Sequence, residues 1–267
     1  MEQLIYEETV KLNFVEGGHR YLVSKLVSKE KDLWTTSTPV TGVTTYLSVI
    51  SKPALMLWPL REAIKLLEQS MGAKIDKKLL DDAYKAHKTK ADSGKKTGKV
   101  GHALVEALLL GKRVIMPKDK ELLKETESVK SAFEAFASDF KPEVLASEQI
   151  FYSKEFNFAG TVDLVANIND KLTVIDFKTT NPSFHNSEGI YGEYFAQLGA
   201  YIIGIEEMDG VTVEEAMIVN LPKNGENYKV KSLSDLGLAV EDVKSYFLHA
   251  LGLYELNKTV GWKVGGN

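Results

Sequence analysis

Gly160-Thr161-Val162-Asp163-Leu164-Val165-Ala166-Asn167-Ile168-Asn169-Asp170-Lys171-Leu172-Thr173-Val174-Ile175-Asp176-Phe177-Lys178 is the stretch whose reading decides the fold. Two apolar, β-branched runs flank Asn169-Asp170, a polar pair suited to a two-residue turn, so the segment predicts a β-hairpin. Counting outward from that turn, Ile168 faces Lys171, Val165 faces Val174, and Asp163 faces Asp176. Directly opposed residues stand with their Cβ atoms roughly 5 Å apart, and two carboxylates so placed repel unless a cation lies between them. Lys178 follows Asp176 by two residues and projects from the same face. A cross-strand carboxylate pair beside a lysine fits a divalent-metal and phosphate site. One face carries Val162, Leu164, Ala166, Ile175 and Phe177, the other Val165, Leu172 and Val174. With both faces apolar, helices are expected to cover both.

The 267 residues suffice for a sizeable core, and 44% hydrophobic with 26% charged residues is ordinary for a globular protein. No apolar run is long enough to cross a bilayer, and the acidic start Met-Glu-Gln-Leu-Ile-Tyr-Glu-Glu lacks a signal-peptide pattern. No membrane association is expected, and the cytoplasm (a host's cytoplasm, if phage-encoded) is the expected setting. The chain has no cysteine, which removes disulfides, thiolate nucleophiles, zinc–thiolate sites and iron–sulfur clusters. The net charge of −4 argues against a generally basic nucleic-acid coat but leaves room for a local basic track.

Along the chain, residues 1 to 50 read as short strands and turns, with a hairpin at Gly17-Gly18 and His19 as a partly exposed strand histidine. Helical spacing recurs over residues 54 to 70, where Pro59 is expected to kink or interrupt the helix, and again over 76 to 90. Residues 85 to 99 form the most basic segment, with Lys85, Lys88, Lys90, Lys95, Lys96 and Lys99. It reads either as a solvated loop kept flexible by Gly94 and Gly98 or as a phosphate-contacting track. Val100 to Gly111 reads as a glycine-capped helix on which His102 and Glu106 share a face. Lys118 to Phe140 reads as an amphipathic helix with Leu122, Val129, Phe133 and Phe136 inward. Strands follow from Val144, then a helix over Tyr191 to Met208 with Gln197 and Tyr201 one turn apart, two strands, and a closing helix over Ser234 to Asn257. The expected division is an N-terminal β-hairpin and helical extension (1–96), a core with its closing helix (97–257) and a tail (258–267).

Isolated Asp-x-Lys carries little information; Asp76/Lys78, Asp139/Lys141 and Asp242/Lys244 sit in polar or helical contexts. Only Asp176-Phe177-Lys178 ends an apolar β-run opposite a second aspartate. Gly160-Thr161-Val162-Asp163, Asp176-Phe177-Lys178, the pair Gln197 and Tyr201 on the following helix, and Gly101-His102 on the preceding one together resemble the PD-(D/E)XK nuclease superfamily. Within it they are similar to the branch of the RecB nuclease domain, phage exonucleases and the mitochondrial genome maintenance exonuclease. Glu148 stands where related enzymes often carry an upstream acid.

The resemblance covers residues 97 to 205 best and implies an α/β (α+β) fold: a restriction-endonuclease-like αβββαβ core, its mixed central sheet flanked by helices. It implies a Mg²⁺- or Mn²⁺-dependent phosphodiesterase acting on DNA, without an iron–sulfur cluster. Asp163, Asp176, His102 and the Phe177 carbonyl would be metal ligands, with Glu148 and Glu106 auxiliary. Lys178 would act catalytically with Asp163 and Asp176, by orienting or activating the attacking water and offsetting phosphate charge. Gln197 and Tyr201, and the basic residues Lys95, Lys96 and Lys99, would contact DNA. A histidine among oxygen ligands suits Mn²⁺ somewhat better than Mg²⁺. The expected function is therefore a DNA exonuclease of phage or mobile-element type, serving recombination, repair or DNA processing, with recombination or replication proteins as candidate partners. A structure-specific or restriction-like endonuclease and a non-catalytic DNA-binding module are the alternatives. Oligomeric state is not readable from the residues.

Overall fold

The computed structural model describes residues 2–18, 20–52, 56–72, 74–182, 186 and 188–263, with the backbone alone at 262 and 263. His19 lies outside the described residues.

The hairpin forms as its sequence requires. Strands β7 (Phe158–Ile168) and β8 (Lys171–Lys178) pair antiparallel, with Ile168 opposite Lys171, Val165 opposite Val174 and Leu164 opposite Ile175. Asn169 (φ 50°) and Asp170 (φ 62°) are both left-handed, the geometry of the tight turn whose twist matches the flanking strands. β6 (Glu143–Ser153) lies along the full outer edge of β7. β9 (Glu215–Asn220) pairs parallel to β8, and β10 (Lys229–Ser232) pairs antiparallel to β9.

The N-terminal strands extend this sheet. β1 (Glu2–Ile5), β2 (Val10–Val15), β3 (Arg20–Ser28) and β5 (Thr38–Gly42) form an antiparallel run, with the short β4 (Leu33–Trp34) on β3. β5 then pairs parallel with Phe158 and Ala159 of β7. One edge of β7 is thus shared: β8 takes residues 164–168 and β5 takes residues 158 and 159. Asp163 sits in the fork between these partners.

Helices cover both faces. Leu164, Ala166, Ile175 and Phe177 pack with Leu104 and Val105 of α3 (Lys77–Leu109) and with Val129, Phe133 and Phe136 of α4 (Lys120–Phe140). Val165, Val174, Ala216 and Ile218 pack with α5 (Glu193–Asp209) and α7 (Val240–Lys263). A helical turn, α1 (Val43–Tyr46), joins that second cluster, and α6 (Leu233–Leu236) carries a Ser232/Asp235 capping box. Gly199 permits the close crossing of α5 and α7: a Cβ there would stand 1.9 Å from the Val243 carbonyl oxygen.

Sequence expectations change at the basic segment and at the closing helix. The basic segment is no loop, for α3 is one helix of 33 residues running through Gly94, Gly98 and the expected boundary at residues 96 and 97. Asp76 caps it by accepting from the Leu79 N–H at 2.8 Å. The alanines and lysines between are good helix formers, and each glycine costs only about 1 kcal/mol relative to alanine. Pro59 occupies the first turn of α2 (Trp58–Gln69), where the missing N–H has no partner to lose; Met56 is helical and Leu57 is a bend, so the expected interruption falls just before it. The closing helix is split at Gly237 (φ 65°), and α7 continues to Lys263, into the stretch read as a tail.

Candidate active site

Three carboxylates form a row across the sheet. The register of β6 with β7 pairs Ser147 with Leu164 and Gln149 with Val162, which sets Glu148 opposite Asp163. The β7–β8 register sets Asp163 opposite Asp176. Asp163 and Asp176 are buried, Asp176 to 1% exposure. Glu148 has φ 50° in mid-strand, a left-handed conformation unusual for a non-glycine residue and typical of functional sites. The irregularity of β6 between Val144 and Ala146 precedes it.

His102 reaches this row from α3. Its Nδ1 lies 3.4 Å from Asp163 Oδ1 and 3.7 Å from Glu148 Oε1. Gly101 allows that approach: a Cβ there would come 3.0 Å from Thr179 Cγ2, just past the end of β8. Gly160 has a matching reason, since a Cβ would stand 2.5 Å from the Phe151 ring. Each of the two motif glycines is thus a point of close packing.

On the other side of the row, Lys178 Nζ lies 2.6 Å from Asp176 Oδ2, the sole polar partner of that oxygen among the described residues. Lys178 also donates to Gln197 Oε1 at 3.1 Å, and Gln197 Nε2 donates to the Tyr201 hydroxyl. The Tyr194 ring lies beneath the ammonium, 4.7 Å from Nζ. Lys178 is therefore held by a carboxylate, an amide and an aromatic face.

The charges perturb one another. The Asp163 carboxylate drives the His102 pKa up to about 10, against the opposing effect of burial. Burial pushes Asp163 upward, but His102, Lys178 and the Phe177 N–H, which donates at 2.7 Å, hold it below its usual value. Burial raises Asp176 to about 6, with Asp163 adding to the rise and Lys178 opposing it. Burial lowers Lys178, yet Asp176 and Asp163 outweigh it and leave the ammonium more firmly protonated than usual. Tyr201 is raised well above its ordinary value, by burial first and then by the two aspartates.

The donor set fits a divalent cation. One ligand atom each from His102, Glu148 and Asp163 lies within 4.8 Å of the others. Oxygen donors with one imidazole suit Mg²⁺ or Mn²⁺, the histidine favouring Mn²⁺. Of the residues named from sequence, His102, Glu148, Asp163, Asp176, Lys178, Gln197 and Tyr201 thus come together. Glu148 stands closer to His102 than an auxiliary role implies, while Asp176 is engaged by Lys178. Glu106 is not brought in; it pairs with Lys112 at 3.4 Å. The Phe177 ring is buried against Phe133 and Phe136, and its backbone N–H serves Asp163. Lys95, Lys96 and Lys99 are all exposed on α3, and Lys96 also lines a cavity of about 390 Å³ with Asp119, Glu121 and Glu125. Tyr194 was not read from sequence, for an aromatic in the first turn of an apolar helix carries no signal of the lysine above it.

The profile of the PD-(D/E)XK nuclease superfamily matches residues 63–256. No curated protein matches the chain. A crystal structure of a candidate exonuclease from Eubacterium rectale superposes at a TM-score of 0.42 with 14% identity, covering 64% of this chain and 69% of that one. The alkaline exonuclease LHK-Exo of Laribacter hongkongensis does so at 0.31 with 17% identity, covering 61% and 84%. A structure of LHK-Exo with dAMP gives 0.29 with 15% identity, covering 77% and 97%.

Proposed function

The chain belongs to the PD-(D/E)XK nuclease superfamily, and on that premise we propose that it is a Mg²⁺- or Mn²⁺-dependent deoxyribonuclease that degrades DNA from an end. The observation that carries the reading is the Glu148–Asp163–Asp176 row, with His102 against one side and a tethered Lys178 on the other. His102, Glu148 and Asp163 would hold the ion, with Asp176 at their border. Bound there, it would supply Lewis acidity toward a phosphoryl oxygen and lower the pKa of a water.

The side chains account for the remaining work. Lys178 stays protonated beside Asp176, with Asp163 adding to the effect, so it serves as a fixed cation for phosphate charge rather than as a base. Gln197 and Tyr201 hold its ammonium in place from α5, and Tyr194 shields its underside. The Phe177 N–H fixes one oxygen of Asp163, leaving the other toward His102. The exonuclease branch is favoured over an endonuclease by His102 and by Gln197 with Tyr201, the motifs that resemble it. A role in recombination, repair or DNA processing of phage or mobile-element type follows from the same resemblance.

The test is incubation with end-labelled single-stranded, double-stranded and closed circular DNA in Mg²⁺, Mn²⁺ or EDTA. Nucleotides or short oligomers from free ends only, abolished by EDTA, are expected. Nicked or linearised circles would instead support the endonuclease, and no cleavage with either ion would overturn the nuclease reading.

A further inference from the structure

We propose that the His102 side of α3, along its exposed stretch from Tyr84 to Lys99, is a track for a single strand of nucleic acid leading to His102, with Lys99, Lys95 and Lys88 on its phosphates and Tyr84 under a base. The proposal rests on the nuclease reading and adds to it the strandedness and path of the substrate.

The continuity of α3 creates this alignment. At 100° per residue, Lys99, Lys95, Lys88 and Tyr84 all lie within about 60° of the direction of His102 on the helix. A loop through Gly94 and Gly98 would have broken that register. The three lysines are exposed, and Tyr84 is 72% exposed. The buried positions Ala83, Thr97, Gly101 and Leu104 lie about 100° or more from that direction, and Val105, past His102, lies about 60° from it on the flank opposite Lys99. Lys85 and Lys96 are rotated away by about 100° or more, and Lys90 is bound to Glu62 at 3.2 Å. Among the lysines of the basic segment, those three therefore share the histidine's side.

The track has one direction. It runs about 27 Å from His102 toward the start of α3, at 1.5 Å per residue. Beyond His102 in the other direction the same face presents Glu106, an acid. Asp92 lies beside the track and pairs with Lys95 at 3.7 Å, but the two side chains are 75% and 80% exposed, a weak contact that a phosphate can replace.

Two features select a single strand. The cations form a file one helix wide, matching one backbone. An aromatic ring offers its face only to an unpaired base, because bases in a duplex are stacked inside. Tyr84 packs edge-on with His87, which leaves its ring standing from the surface. The small side chain of Ala91 lies along the same side and lets the strand approach the helix closely.

The experiment is fluorescence anisotropy in EDTA, so that binding is read without turnover, on the full chain with labelled oligothymidylates of increasing length and a blunt duplex. Affinity for the single strands is expected to rise with length and level off once the track is spanned. The variant Lys88→Gln/Lys95→Gln/Lys99→Gln should lower the slope of log K against log salt by about 2, three phosphate contacts at about 0.7 each. Lys78→Gln/Lys85→Gln/Lys96→Gln, equal in charge and on other faces, should keep the wild-type slope. Tyr84→Ala should weaken single-strand binding about 5- to 150-fold and leave duplex binding unchanged. An unchanged slope in the first variant, equal slopes lost in both, no single-strand binding, or self-association through Tyr84 in its place would each overturn the proposal. A protein that binds strands this way but cleaves no DNA would sink the nuclease reading and leave the track standing.

Discussion

Replacing Asp176 with asparagine should change how the metal-free protein responds to pH, by an amount the structure sets. Asp176 is 1% exposed, and its pKa stands at about 6 instead of the ordinary 3.8. Burial is the larger cause and the facing Asp163 adds to it, while Lys178 opposes both. The folded state therefore holds this proton more tightly than the unfolded chain does. The destabilisation is absent below the unfolded value near 3.8, grows as pH rises through the interval, and is complete just above 6. At about 1.4 kcal/mol per pH unit, the full penalty is about 3 kcal/mol. Between pH 4 and pH 7 about 2 kcal/mol of it develops, because part is already present at pH 4.

Asparagine keeps the shape and removes the titration. Urea unfolding of wild type and Asp176→Asn in EDTA at pH 4, 5, 6 and 7 reads the effect, since groups away from this row titrate alike in both proteins. Wild type should lose about 2 kcal/mol relative to the variant across that range. The absolute offset between them depends on the Lys178 ion pair that the variant also breaks. The difference in pH dependence comes from the Asp176 titration, because Lys178 is charged throughout that range, and parallel stability curves would refute the opposed-carboxylate account.

Lys178→Ala should lower the cleavage rate at least about 100-fold while oligonucleotide binding persists, read by single-turnover kinetics and anisotropy. His102→Ala should weaken Mn²⁺ binding in calorimetry and remove most of the metal-induced rise in melting temperature, with helicity kept because alanine is the best helix former. Tyr201→Phe should leave Gln197 free to turn from Lys178 and reduce turnover without altering KM. Gly160→Ala should destabilise by about 1–3 kcal/mol in denaturant melts, because its methyl would enter the Phe151 ring.

The hairpin and its site were legible because both depend on a period-two register that a tight turn fixes. Once Asn169-Asp170 is placed, Asp163 must face Asp176, and Lys178 must share the side of Asp176. Gln197 and Tyr201 were legible for the corresponding helical reason, being four residues apart on α5. What the sequence concealed depends on contacts between distant segments. Nothing in the β6 residues gives the register that sets Glu148 against Asp163, because that strand reaches β7 without a tight turn to count from. The left-handed φ of Glu148 is invisible for the same reason, since no glycine or asparagine marks it.

The continuity of α3 is not legible in its local sequence. Gly94 and Gly98 are poor helix residues, and the lysines around them have no apolar period of their own. The helix persists because Thr97 is buried and donates to Glu125 at 2.5 Å, while Gly101 seats the next turn on Thr179. These contacts hold the helix through the basic segment and place His102 at the carboxylates. The residues that looked like a break are therefore the ones that join the lysines to the site. Gly101 supplies the approach to the sheet, and the unbroken helix upstream of it supplies the direction from which charge is presented. A rigid link of this kind fixes the lysines relative to the ion-binding row, which a flexible loop of the same composition would not do.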